Sequence, residues 1–423
     1  MDRRHKKSGK ELNPETLALG YGYDPFLSEG AVKPPVFLTS TFQFKTAEEG
    51  QRYFELAYKL KPPRASEVPG LIYSRLNNPN LEIFERRVAA WDGTEEGAVF
   101  ASGMAAITTL AWALLKPGDV VLSTQPIYGG THYFFEHILP AFQITCRYVS
   151  AQTDVAEGLR QAAAEVGPNR VRMVFVETPA NPSNVLVDLS AVADAVKEIR
   201  ATGGNACHFA VDNTFLGPVF QRPAKFGADL VIYSATKFLG GHSDLIAGVV
   251  TGHSSTLEAV KLYRTILGTM ANPFTGWLLL RSLETVSVRM RRQAKSAQKL
   301  AHLLAEHPKV QRVYYPGLLT PGTKEHAIYE RQCTGPGSLI AFEVAGGVAG
   351  AQRVLNHFEI ARLAVSLGGT ESLVEHPMTM THSDVPPEEL DRIGVSPGLI
   401  RMSVGLEHLS DLKRDLQDAL DAL

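Results

Sequence analysis

Ser234-Ala235-Thr236-Lys237 places two hydroxyls and a primary amine just past a short apolar run, residues 229–233. Two hydroxyls can bind a phosphate. An amine in apolar surroundings near positive charge loses its proton more readily and attacks a carbonyl carbon. The plainer alternative is a surface lysine before the turn at Gly240-Gly241. Asp212 closes another apolar run and is followed by Asn213 and Thr214. A buried carboxylate there needs a cation such as a protonated ring nitrogen; an Asx turn or helix cap would use the same residues. Ser102-Gly103-Met104 stands where an apolar run gives way to an alanine-rich helix. It could bind an anion on the helix N-terminus, or be an ordinary tight turn. Tyr128 precedes Gly129 and Gly130, so its ring could lie flat over a planar ligand or fill a turn. Tyr73 and Arg75 flank Ser74, and the arginine suits either a phosphate or a surface ion pair. Arg401 sits in the apolar run Leu399-Ile400-Arg401-Met402. It must face an anion, either a substrate carboxylate or an internal partner.

Most of these groups follow a short apolar run, where ligands of open α/β sheets bind. The runs at 97–100, 119–123, 172–177, 208–212 and 229–233 predict strands. Helical spacing at 104–115 and 190–201 separates them, which predicts a largely parallel sheet covered on both faces. The first 77 residues are broken by Pro34-Pro35, Pro62-Pro63 and Pro69-Gly70. They predict an extended arm with one short helix at 47–58. A large domain then spans 78–286. From 287 to 423 the pattern predicts an α+β domain, with a long helical stretch at 277–306, strands at 310–314 and 338–344, and a terminal helix at 411–423.

A chain of 423 residues exceeds what one hydrophobic core serves. Its 44% apolar and 20% charged residues are those of an ordinary soluble protein. A net charge of −2 favours neither nucleic acid nor membrane, and the basic opening at 3–10 reads as a solvated terminus. No signal-peptide pattern and no bilayer-length apolar run is found. Cys146, Cys207 and Cys333 are widely spaced and odd in number, which predicts no disulfide framework, no metal site and a reducing cytoplasm.

The chain resembles the Cys/Met-metabolism pyridoxal-phosphate enzymes, which include methionine γ-lyase, cystathionine γ-synthase, the cystathionine lyases and O-acylhomoserine sulfhydrylases. The resemblance is carried by DLVIYSATKFLGGHSD, VDNT, YSRLNNPN, ASGMAAI, PIYGGT, ETPANP, AVSLGGTESLVEHP and LIRMSVGLE, in that family's order along the chain. It implies the transferase fold of type I, a mainly parallel large domain with a smaller α+β domain, assembled as a tetramer of paired dimers. It implies that Lys237 forms the Schiff base and shuttles protons, that Asp212 pairs with the pyridinium nitrogen, and that Tyr128 stacks on the ring and acts as acid or base. By the same resemblance Ser102, Gly103, Met104, Ser234 and Thr236 hold the phosphate. Tyr73 and Arg75 reach the neighbouring subunit's phosphate. Asn181, Ser366 and Arg401 surround the substrate carboxylate and the ring oxygen.

The departures from the family pattern concern the substrate. Gly130 stands where methionine γ-lyases carry a cysteine, and Arg264-Thr265 where they carry Lys-Asp. Val365 precedes Ser-Leu-Gly-Gly, as in methionine γ-lyase, where cystathionine enzymes commonly have glutamate. The segment at 50–72 is longer than usual. The leading expectation is a carbon–sulfur lyase of the methionine γ-lyase type. The alternatives are γ-replacement, as in cystathionine γ-synthase or O-acylhomoserine sulfhydrylase, and a non-catalytic pyridoxal-phosphate-binding protein.

Overall fold

The computed structural model describes residues 10–65, 67, 70–204, 206–383 and 385–423, so most of the basic opening lies outside the described residues. Twelve strands form two sheets among them. The first sheet takes β1 (Glu96–Phe100), β2 (Val120–Gln125), β3 (Thr145–Ser150), β4 (Val171–Glu177), β5 (His208–Asp212), β6 (Leu230–Ser234) and β7 (Gly248–Gly252), in the order β1-β7-β6-β5-β4-β2-β3. The run from β3 to β6 is parallel, while β7 lies antiparallel between β6 and β1. The second sheet takes β8 (Val310–Tyr314), β9 (Leu339–Val344), β10 (Arg362–Leu363), β11 (Leu373–Glu375) and β12 (Leu399–Ser403), in the order β10-β11-β12-β9-β8.

Both faces of the first sheet are buried, and the strand period of two shows why its strands read as continuous apolar runs. In β4, Val174 and Val176 pack against Leu159, Val192 and Val196. Met173 and Phe175 of the same strand point the other way, to Ile107, Leu110 and Phe135. The described residues of 10–77 add no strand to either sheet. They carry α-helices α1 (Pro14–Gly20) and α2 (Ala47–Ala57), with a 3-10 turn at Pro25–Leu27 between them, where one short helix was expected. Helix α3 (Pro79–Asp92) follows and sends Phe84, Val88 and Trp91 into the core beneath β1, β6 and β7.

The long helical stretch divides into Pro273–Leu283 and Val286–Glu306. No glycine or proline marks the break. Arg289 Nη2 donates to the Ser282 carbonyl at 2.8 Å, satisfying an acceptor left free at the first helix's end. Strands β3 and β7 were not anticipated. β3 alternates exposed and half-buried residues at the sheet edge, and β7 is bounded by glycines. At Gly248 a Cβ would lie 2.1 Å from the Ser102 carbonyl oxygen, so β7 and the strand–helix turn meet only because no side chain intervenes. Among the described residues no helix is long and apolar enough to cross a membrane.

Candidate active site

Parallel strands put their carboxyl ends on one edge of the sheet, and that edge forms one wall of a cavity of about 490 Å³. Ser102, Gly103, Met104, Tyr128, Asn181, Asp212, Ser234, Thr236, Lys237, Ser366 and Arg401 all line it. Tyr73 and Arg75 do not. Tyr73 is exposed, and Arg75 Nη1 donates to the Thr265 carbonyl at 2.8 Å.

The anion cradle is built at the start of α4 (Gly103–Leu114). Ser102 Oγ accepts from Ala105 N at 2.9 Å and caps the helix, leaving the first-turn N–H groups directed at the cavity end. A Cβ at Gly103 would come within 3.0 Å of the Ser234 side chain, so the space between them exists because residue 103 is glycine. Thr236 and Ser234 close the other side of that space. Dipole, N–H groups and hydroxyls together suit a phosphate.

Lys237 is largely buried, and its Nζ donates to Ser366 Oγ at 2.7 Å. Burial, aided by the Arg401 charge, brings its amine down to about 8. Ser366 has φ 95°, a conformation that side-chain-bearing residues rarely adopt. Such conformations gather at functional sites.

Asp212 Oδ1 accepts from Thr214 N at 3.0 Å and Thr214 Oγ1 at 2.6 Å. That hydroxyl accepts in turn from Ser234 N, tying the ends of β5 and β6 together. Burial pushes the Asp212 carboxyl up, and no cation among the described residues pairs with it. Glu177, one strand over, opens the ETPANP motif but was given no role from the sequence, although it ends β4 as Asp212 ends β5. Its carboxylate accepts from Tyr128 N at 2.8 Å and Asn181 N at 2.9 Å, so it fixes two residues that face the cavity. Burial and the neighbouring Asp212 push its carboxyl up.

Arg401 donates to Asn181 Oδ1 and to the Ser366 carbonyl, both at 2.9 Å. It also has the internal partner that was one of two readings, since its Nη1 lies 2.9 Å from Glu375 Oε1. Arg264, by contrast, is a core residue. It is buried and pairs with Glu85 at 2.5 Å. Burial pushes all three cysteine thiols up, which removes them as nucleophiles near neutral pH.

A phosphate cradle, a lysine amine with a lowered pKa and a buried carboxylate lacking a cation define the site of a pyridoxal-phosphate enzyme of fold type I. The residues fit that cofactor, because its pyridinium nitrogen would supply the positive charge that Asp212 lacks. The chain belongs to the Cys/Met metabolism PLP-dependent enzyme family, whose model matches residues 15–421. It is 40% identical over 425 residues, spanning 100% of both chains, to an L-methionine gamma-lyase of Pseudomonas deceptionensis. A cystathionine gamma-lyase of Dictyostelium discoideum is 38% identical over 93% of each chain. The crystal structure of cystathionine gamma synthase from Xanthomonas oryzae pv. oryzae in complex with cystathionine superposes with a TM-score of 0.86, at 32% identity, covering 98% of this chain and 99% of that one.

Proposed function

We propose that this enzyme is a carbon–sulfur lyase of the methionine γ-lyase type, acting on methionine, homocysteine or a related amino acid. The observation that carries the reading is the apolar wall of the cavity. Val365, Ile246, Phe215, Leu367 and Met380 line it beside Lys237. Such a wall accepts a thioether, and none of these side chains offers a carboxylate to pair with a distal ammonium. The 40% identity to a methionine gamma-lyase along the whole chain supports the same substrate class.

Bound pyridoxal phosphate supplies an electron sink that makes the substrate's α- and β-hydrogens acidic. The protein's groups do the rest. Lys237 Nζ, whose amine burial brings down to about 8, would hold the cofactor and, once displaced by the substrate amine, would take the α-proton. Asp212 would keep the cofactor's ring nitrogen protonated by its charge. Tyr128, which lines the cavity, would move a proton at its hydroxyl toward the departing γ-sulfur. Gly103, Met104, Ser102, Ser234 and Thr236 hold the phosphate, and Arg401, set by Asn181 and Ser366, orients the substrate carboxylate. For methionine the balance is methionine plus water giving 2-oxobutyrate, ammonia and methanethiol.

The assembly in this reading is a cytoplasmic homotetramer of paired dimers. Tyr73 and Arg75 then complete the phosphate site of the adjoining subunit, which agrees with their place outside the cavity of their own chain. The three free cysteines suit a reducing compartment.

Gly130 favours γ-replacement as the second reading. The Tyr128 ring lies over this glycine, and a Cβ there would come 2.7 Å from its Cε1. The chain therefore carries no thiol beside the Tyr128 ring at this position. Steady-state kinetics on methionine, homocysteine, cystathionine and both O-acetyl- and O-succinylhomoserine, the last two with cysteine or sulfide, decide between them. A thioether or thiol substrate should show the highest kcat/KM. If an acylhomoserine plus thiol leads instead, the enzyme is a γ-replacement synthase.

A further inference from the structure

Arg401 does not meet an incoming carboxylate as a free cation. Glu375 faces it in the β11–β12 register, and the two side chains, 1% and 4% exposed, form an ion pair at 2.9 Å. The charge of the anchor is thus already cancelled. A ligand carboxylate on the same guanidinium would add a second negative charge to a buried pair, which a low-dielectric site tolerates poorly. Glu375 is also badly equipped to keep its own charge. Its Oε1 accepts from Thr381 Oγ1 at 3.2 Å, while Oε2 is buried with no hydrogen-bond partner among the described residues.

We propose that Glu375 is a positioning residue that takes up one proton when a ligand carboxylate binds Arg401, so that carboxylate recognition in this cavity is coupled to protonation. The proposal rests on reading Arg401 as the substrate-carboxylate anchor. The proton comes from solvent and returns there on release. Net charge at the anchor stays zero. Before binding, Arg401 is balanced by Glu375; afterwards it is balanced by the ligand, with Glu375 neutral.

The groups that act on Glu375 are Arg401 on β12, Lys237 after β6, and His376 and Thr381 on its own segment. His382 stands behind Thr381, whose hydroxyl lies 3.0 Å from its Nδ1. Glu177 acts on the far side of Arg401. Burial outweighs the cationic neighbours, and the Glu375 carboxyl is pushed up. Below its pKa the carboxyl is neutral and Arg401 presents a full charge. Above it, each bound carboxylate must draw in a proton, and affinity falls by up to about tenfold per pH unit.

The test uses the holoenzyme and two ligands without a leaving group, followed by cofactor absorbance. Norleucine replaces the methionine sulfur with methylene, and pentylamine is the same chain without the carboxylate. Their affinity ratio isolates the carboxylate. Arg401→Lys should weaken norleucine more than pentylamine; equal weakening would remove Arg401 as the anchor, and the proposal with it. Given a selective effect, the wild-type ratio should fall as pH rises. In Glu375→Gln it should stay level and exceed wild type at least tenfold at the alkaline end. A wild-type slope kept in Glu375→Gln, a uniform weakening at every pH, or a level wild-type ratio each overturns proton coupling while leaving the anchor in place. Calorimetry of the wild-type holoenzyme in buffers of unequal ionisation enthalpy needs no variant. It should count about one more proton taken up with norleucine than with pentylamine, and an equal count overturns the proposal.

Discussion

Glu177 and Asp212 stand side by side at the carboxyl ends of adjacent parallel strands, paired in register and both buried. Two carboxyls so placed resist double ionisation. They divide the work by their partners. Glu177 is spent on the backbone N–H groups of Tyr128 and Asn181, whereas the hydrogen bonds to Asp212 come from Thr214 and reach one oxygen, Oδ1. Asp212→Asn is expected to lower kcat by about two orders of magnitude with the fold intact, because a pre-placed charge is lost. Glu177→Gln keeps one acceptor but turns an NH₂ toward the second N–H. It should cost about 1–3 kcal/mol of stability. Turnover and thermal melts of both variants separate the two roles; equal kinetic loss with unchanged Tm in both would refute the division.

The Lys237 amine is expected to titrate near 8 in the cofactor-free protein. Capture of pyridoxal phosphate should therefore quicken about tenfold per pH unit up to that point and level off beyond it. Stopped-flow absorbance reads this directly. A rate still climbing at pH 10 would mean an ordinary lysine. Lys237→Ala should lose turnover yet keep its circular dichroism, and borohydride should fix the cofactor to Lys237 in the wild type.

Tyr73 and Arg75 are expected to serve the adjoining subunit. Arg75→Ala and Lys237→Ala proteins, each inactive alone, should regain part of the activity once their subunits exchange. Mixed dimers shown to have formed but still inactive would count against a shared site.

Val365 lines the cavity yet is 56% exposed, so a longer side chain fits there without repacking the core. Val365→Glu should raise kcat/KM for cystathionine relative to methionine, by about tenfold or more, since a distal ammonium then gains a partner. An unchanged ratio would place the γ-substituent elsewhere.

The buried Glu85–Arg264 pair predicts an acid-sensitive core. Lys261, Arg264 and the Val99 N–H offset burial and hold the Glu85 carboxyl at about 2, below the usual value of 4.5. The stability from this depressed pKa is present above about 4.5 and lost as pH falls toward 2, on the order of 3 kcal/mol. Glu85→Gln leaves Arg264 unpaired, and about 3–5 kcal/mol should be lost at neutral pH. Urea melts at pH 7 and at steps from pH 4.5 down to 2 check both, and a variant as stable as wild type at pH 7 would contradict the pairing.

Much of the site was legible in the sequence because it rests on local patterns. Ser102, Asp212 and Ser234 to Lys237 each close or follow an apolar run, and a parallel sheet delivers every such end to one edge. The fold class followed from the same alternation of runs and helices. What only the tertiary structure decided depends on pairing between distant segments, which no periodicity records. The neighbours Glu177 and Asp212 are set by the β4–β5 register. The break at 284–285 is stabilised by Arg289, which reaches back to the preceding helix's end. Arg401 showed in the sequence that it must face an anion. That this anion is Glu375, with one oxygen left without a donor, was decided by the antiparallel register of β11 and β12, because burying an arginine requires some partner and only the fold selects which carboxylate supplies it.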